Sequence, residues 1–177
     1  MKKTAIYALL FFAALQLGGC ELTDDGSYVA PVTVYEKVNG TWALTKLSMV
    51  DNYAISNAIE PTEQEITYWF NFETLTITLN VDPENNPTTY SVSGDVPELF
   101  LKEGYWSLNS PFTRTDQSPL VINLYQNASK DRVADQLVLS SIPSGGASNG
   151  MEFKLVRQSN GLSFLTYVFK LSPVTQN

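Results

Sequence analysis

The side chains that most often do chemistry are scarce in this sequence, and that scarcity narrows what the chain can be. It contains no His, so the commonest metal ligand and the usual general base near neutral pH are both missing. Its many Ser and Thr residues therefore have no Ser-His-Asp arrangement to join, and no Ser-Lys signature stands out. The single Cys, Cys20, allows neither an internal disulfide nor a thiolate zinc site. The acidic groupings are Asp24-Asp25, Glu60 with Glu63 and Glu65, and Glu84. Each lies in or beside a polar linker and reads as solvated charge, because Ca²⁺ asks for six or more oxygens in one tight loop. Gly145-Gly146 precedes no helix and so offers no phosphate cradle, and Asn127-Ala128-Ser129 matches a glycosylation acceptor pattern of little weight. The expectation is a protein that is not an enzyme, with no metal and no cofactor.

Charge and composition bound the rest. There are 18 acidic and 11 basic residues; setting aside Lys2 and Lys3 leaves 9 against 18, a balance of −9. That sign argues against a nucleic-acid partner, which needs clustered Lys and Arg. A chain of 177 residues that is 44% hydrophobic can build one domain with a true core.

The first twenty residues read as delivery. Lys2 and Lys3 supply a positive start, and the apolar run from Ala5 to Leu17 has the length of a signal-peptide core, short of the ~20 residues of a membrane span. Leu17-Gly18-Gly19-Cys20 resembles the lipobox of bacterial lipoproteins. The resemblance implies that residues 1–19 are a lipoprotein signal peptide and that Cys20 is acylated with fatty chains such as palmitate, anchoring the protein to a membrane. Each buried methylene contributes roughly 0.8 kcal/mol, so two or more chains make release slow. Residues 20–38 read as a flexible tether: Glu21 to Ser27 is acidic and turn-prone, and Tyr28 onward shows no sustained period. Asp24-Asp25 so soon after Cys20 resembles the export signal of surface lipoproteins in gut Gram-negative bacteria. This implies an outer-membrane protein exposed at the cell surface, with a periplasm-facing domain as the alternative.

From residue 39 to 177 the pattern has period two, the mark of strands with one buried face. Thr41–Val50 carries Trp42 and Leu44 on one face but Leu47 and Met49 on the other. A second strand is expected over Ile66–Phe72, with Tyr68, Phe70 and Phe72 on its aromatic side. Leu75, Ile77, Leu79 and Val81 alternate with Thr74, Thr76, Thr78 and Asn80 in the next. Further strands are expected around Tyr90 and Val92, Tyr105–Asn109, Leu120–Leu124, and Leu137 with Leu139. Asn160-Gly161 reads as a two-residue hairpin joining Met151–Gln158 to Leu162–Leu171, since both positions tolerate positive φ. The last strand is apolar on both faces and is expected to be covered on both or to seal the sheet. Asp51–Glu60 is the one helical stretch, with Asp51 as its cap, read as a packed connection rather than a lid. Eight or nine short antiparallel strands make an all-β barrel, with a β-sandwich as the alternative.

Gly40-Thr41-Trp42, opening the first strand, resembles the G-x-W signature of lipocalins and related calycin-like barrels. Together with the lipobox and acidic tether it makes the chain similar to the lipocalin-like lipoproteins of gut Gram-negative bacteria. The resemblance implies that Gly40 and Trp42 close one end of the barrel, with Arg157 stacking over the Trp42 ring through a cation–π contact. The second lipocalin motif and the C-terminal helix are absent from the sequence. Two functional expectations follow. In one, Tyr68, Phe70, Phe72, Tyr90, Trp106 and Phe153 line a cavity that binds a small apolar or amphipathic ligand. In the other, side chains fill the barrel, and the protein docks an envelope component or glycan through exposed aromatics such as Trp69 and Phe112.

Overall fold

The computed structural model describes residues 30–144 and 149–174. The expected signal peptide (residues 1–19), Cys20, Asp24-Asp25 and Gly145-Gly146 lie outside the described residues. In chain order come helix α1 (Val34–Val38), strand β1 (Gly40–Asp51), helix α2 (Asn52–Ser56) and the short strand β2 (Glu63–Glu65). A 3-10 turn (Phe72–Thr74) leads into β3 (Thr76–Val81), β4 (Pro87–Ser93), β5 (Glu103–Leu108) and β6 (Leu120–Tyr125). Strands β7 (Val133–Ser141), β8 (Met151–Ser159) and β9 (Leu162–Pro173) are the last elements among the described residues.

All pairings are antiparallel, in the order β2-β1-β3-β4-β5-β6-β7-β8-β9, and β9 pairs back onto β1. The sheet thus closes into an eight-stranded barrel of the lipocalin-like kind, with β2 added beside the second half of β1. One closed ladder rules out the sandwich. The apolar β9 does seal the sheet, pairing with β8 on one side and β1 on the other. Asn160 and Gly161 both take positive φ and join β8 to β9 as a tight hairpin.

The mixed faces of β1 have a simple cause. The register slips between Leu44 and Lys46, where Leu44 faces Leu171 and Lys46 faces Lys170. Thr45 is the extra residue, and its hydroxyl donates to the Lys170 carbonyl at 2.9 Å. A bulge of this kind shifts the side-chain phase by one, so Trp42, Leu44 and Leu47 are all buried.

Two expectations are corrected. The tether does not run to Val38: Thr33 and Glu36 form a capping box, and α1 buries Val34 and Val38 in the core. The Thr33 backbone N–H and hydroxyl both reach the Glu36 carboxylate and hold its pKa below the usual range. Nor is Ile66–Phe72 a strand. After Glu65 the Leu47 N–H donates to the Thr67 hydroxyl at 2.9 Å instead of to a neighbouring strand, which ends the ladder. Successive three-residue turns follow (Trp69 N–H to Ile66 O, Phe72 N–H to Trp69 O), with Phe70 and Asn71 at φ 54 and 60. Helix α2 forms where expected, capped by the Asp51 carboxylate accepting from the Ala54 N–H.

Candidate functional site

The barrel has two unlike ends. Where β1 starts and β9 finishes, α1 lies across the opening. Trp42 is buried there, and its Nε1 donates to the Val38 carbonyl at 2.8 Å, so the indole ties β1 to the last residue of α1. Tyr35 packs edge-on against Trp106 at 5.6 Å, the Val34 N–H donates to the Pro111 carbonyl, and Trp106 Nε1 donates to the Asn80 carbonyl. Each indole has therefore found its polar partner inside an apolar seal, as buried tryptophans require.

Arg157 is not part of that seal. It pairs with Leu165 across the β8–β9 hairpin, whereas Trp42 pairs with Pro173 on β9. At about 3.3 Å per strand residue the eight-residue offset is roughly 26 Å, so the expected stacking of Arg157 on Trp42 is corrected. Its actual task is at the opposite end. The β7–β8 ladder extends only from Ser141↔Glu152 to Val138↔Lys154, and beyond Lys154 the strands part. Arg157 Nη1 bridges the parting to Asp135 Oδ1 at 3.5 Å, and its Nη2 donates to the Leu99 carbonyl. Asp135 Oδ2 accepts the Leu101 N–H at 3.2 Å, the Tyr90 hydroxyl donates to the Leu101 carbonyl at 2.8 Å, and Lys102 Nζ donates to the Val96 carbonyl.

Those contacts clamp the 94–102 connection over the second opening. Its Phe100 points inward and meets Phe153 and Phe169 edge-on at 6.3 and 5.9 Å, while Phe153 and Phe169 stack at 4.7 Å. Phe100 is a plug supplied by the chain itself. Burial, followed by the charges of Asp135, Glu98 and Glu103, raises the pKa of Tyr90 far above the ordinary phenol value, so its hydroxyl keeps its proton and remains a donor.

The six residues expected to line a cavity divide into two groups. Tyr68 and Phe70 lie outside the barrel, 79% and 67% exposed, because the turns that replace the expected strand rotate them outward. Phe72, Tyr90, Trp106 and Phe153 do face inward, but Trp106 and Phe153 have 0% of their surface accessible, and Phe72 and Tyr90 2%. Among the described residues no buried side-chain polar atom lacks a partner. A depression of about 500 Å³, open to solvent, lies in the parting between β7 and β8, lined by Val133–Gln136 and Leu155–Gln158. Trp69 and Phe112, expected as exposed aromatics, are 47% and 43% exposed. They do not share a surface: Phe112 follows the Pro111 that holds α1, and Trp69 lies near the plugged opening. Among the described residues no group of three or more His, Cys, Asp or Glu could hold a metal, and no helix is long and apolar enough to cross a membrane.

Sequence reading missed Phe100, Asp135 and α1. The signal for α1 was present: Thr33-x-x-Glu36 with Val34 and Val38 four apart is a capping box followed by one apolar helical face. Phe100 stood alone in an irregular segment, with no periodicity to mark it.

A family described as "Domain of unknown function (DUF5004)" matches residues 18–172, and the chain belongs to that family. No curated protein matches it.

Proposed function

We propose that this DUF5004 member is a lipid-anchored protein of the outer membrane, exposed at the cell surface, whose packed barrel is a rigid scaffold for docking a partner in the envelope. On this reading it is neither an enzyme nor a carrier of small molecules. The observation that supports it is burial in the interior: the four inward-facing aromatics expected to line a cavity are 0–2% exposed, and Phe153 meets Phe100 edge-on and stacks on Phe169. Eight-stranded barrels are narrow enough for side chains to fill. The absence of His from the whole chain supports a non-enzymatic role. The anchor is supported by Leu17-Gly18-Gly19-Cys20, three of whose four residues fall inside the span matched by the family.

Titration of the full chain with N-phenyl-1-naphthylamine, a dye that brightens in apolar pockets, tests the filled interior. No saturable increase is expected; one-to-one saturation would restore the carrier role. Labelling cells with radioactive palmitate tests the anchor: incorporation is expected in the wild type and not in Cys20→Ser, and label retained in that variant contradicts acylation at Cys20.

One observation favours a second reading. Phe100 sits on a connection rather than a strand and is held by polar contacts at the mouth, so a small apolar ligand could take its place if the connection swung out. Dye uptake that appears in Arg157→Met but not in the wild type would support that reading.

A further inference from the structure

The 66–72 connection presents three consecutive aromatic residues, Tyr68, Trp69 and Phe70, to solvent near the plugged opening. Phe70 holds φ 54, a left-handed conformation that a bulky side chain adopts only when its surroundings impose it. Thr67, anchored on the Leu47 N–H, and the buried Phe72 fix the two ends of this projection. The stretch that carries it is acidic. From Asp51 to Leu101 there is no Lys or Arg, while Asp51, Glu60, Glu63, Glu65, Glu73, Asp95 and Glu98 are acidic, as are Asp82 and Glu84 in the β3–β4 turn at the other end of the barrel. Glu63 and Glu65 precede the aromatics, Glu73 follows them, and Asp95 accepts a hydrogen bond from Asn71. The flanking cations are engaged, Lys46 with Glu65 at 3.6 Å and Lys102 with the Val96 carbonyl.

We propose that Tyr68, Trp69 and Phe70, flanked in the chain by Glu63 and Glu73 and with Asp95 bonded to the neighbouring Asn71, form a docking surface for a basic segment of a partner protein that also carries apolar side chains. Cations would sit against the ring faces and pair with the carboxylates, a combination stronger than either contact alone. The charge decides against other occupants. Anionic lipid headgroups would be repelled, and a second copy of this chain, itself at −7, would bring carboxylate to carboxylate. The proposal rests on the docking role proposed above and names the surface and the partner's chemistry.

The chain's three tryptophans make the test direct, because Trp42 and Trp106 are buried and only Trp69 is open to solvent. Acrylamide quenching of the full chain in nanodiscs of zwitterionic lipid therefore reads this surface. A Lys/Leu amphipathic peptide without Trp is expected to shield Trp69 at a Kd about ten-fold below that of its Glu/Leu counterpart, with the preference lost near 0.5 M salt. The double variant Glu73→Lys, Asp95→Lys should abolish the preference, and Tyr68→Ser should weaken binding about ten-fold, both with Tm unchanged because these side chains are exposed. Absence of shielding, equal binding of both peptides, or salt-insensitive shielding by a neutral β-glucan would overturn the proposal. None of these outcomes bears on the filled interior, which the dye titration reads separately.

Discussion

The two ends of the barrel are closed by different physics. At the α1 end the seal is apolar and continuous with the core: Val34, Val38, Trp42 and Trp106 are buried, and both indole N–H groups end on backbone carbonyls. At the other end the strands part, and the opening is closed by a connection that buries Val96 and Phe100, packs Leu99 against the core, and is fastened by Arg157, Asp135, Tyr90 and Lys102. The first closure gains stability from area removed from water. The second buries Val96 and Phe100 and adds polar contacts whose net worth is small, because water competes for each of them. The plugged end, where the β7–β8 ladder stops after Lys154 and polar contacts carry part of the closure, is the weaker of the two.

The largest expected effect is at the permanent seal. Trp42→Ala should cost about 3–5 kcal/mol in denaturant unfolding, by loss of buried area and the cavity left behind. Phe100→Ala should cost about 3 kcal/mol, at the low end of that range because a connection can settle into the vacated space more readily than a strand. A larger loss from Phe100→Ala than from Trp42→Ala would invert the comparison.

Arg157→Met keeps the apolar stem but removes the bridge to Asp135 and the donor to Leu99; about 1–2 kcal/mol is expected, since the pair is partly exposed. Its sharper readout is hydrogen exchange, where the Leu101 amide should speed up and amides of β1 should not. The Tyr90 latch predicts a pH dependence. Burial raises its folded pKa above the unfolded value near 10, so its contribution is constant below about pH 10 and is lost as pH rises further. Stability of the wild type should fall more steeply above pH 10 than that of Tyr90→Phe. The smallest effect is at Phe70, where Phe70→Gly relieves a left-handed backbone and forfeits an edge contact with Phe72 at 6.4 Å. A change between zero and about 1 kcal/mol of added stability is expected from thermal unfolding.

Eight barrel strands were legible because Leu, Ile and Val alternate with Thr, Ser and Asn in them, as in Thr76–Val81. The same alternation misled at Ile66–Phe72, where period two cannot tell a paired strand from a string of turns. What decides there is a tertiary contact, the Thr67 hydroxyl taking the place of a strand acceptor. Arg157 shows a subtler limit. Its position three residues before Asn160 put it beside the hairpin, but only the pairing of β9 with β1 reveals that Trp42 lies at the far end of the same strand. Cavity or no cavity was likewise beyond the pattern, since inward aromatics fill a barrel or line it according to how they meet. Here Phe100, from outside the strands, meets Phe153 and Phe169 edge-on, a contact that no strand period announces.

The filled interior is the central claim, and mass spectrometry of the full chain purified from cells tests it most directly. The acyl chains proposed for Cys20 would be covalent and survive denaturation, whereas a ligand held in the barrel would not. The account predicts that native and denatured masses agree once detergent is removed; a reproducible excess in the native mass, released on unfolding, would contradict it.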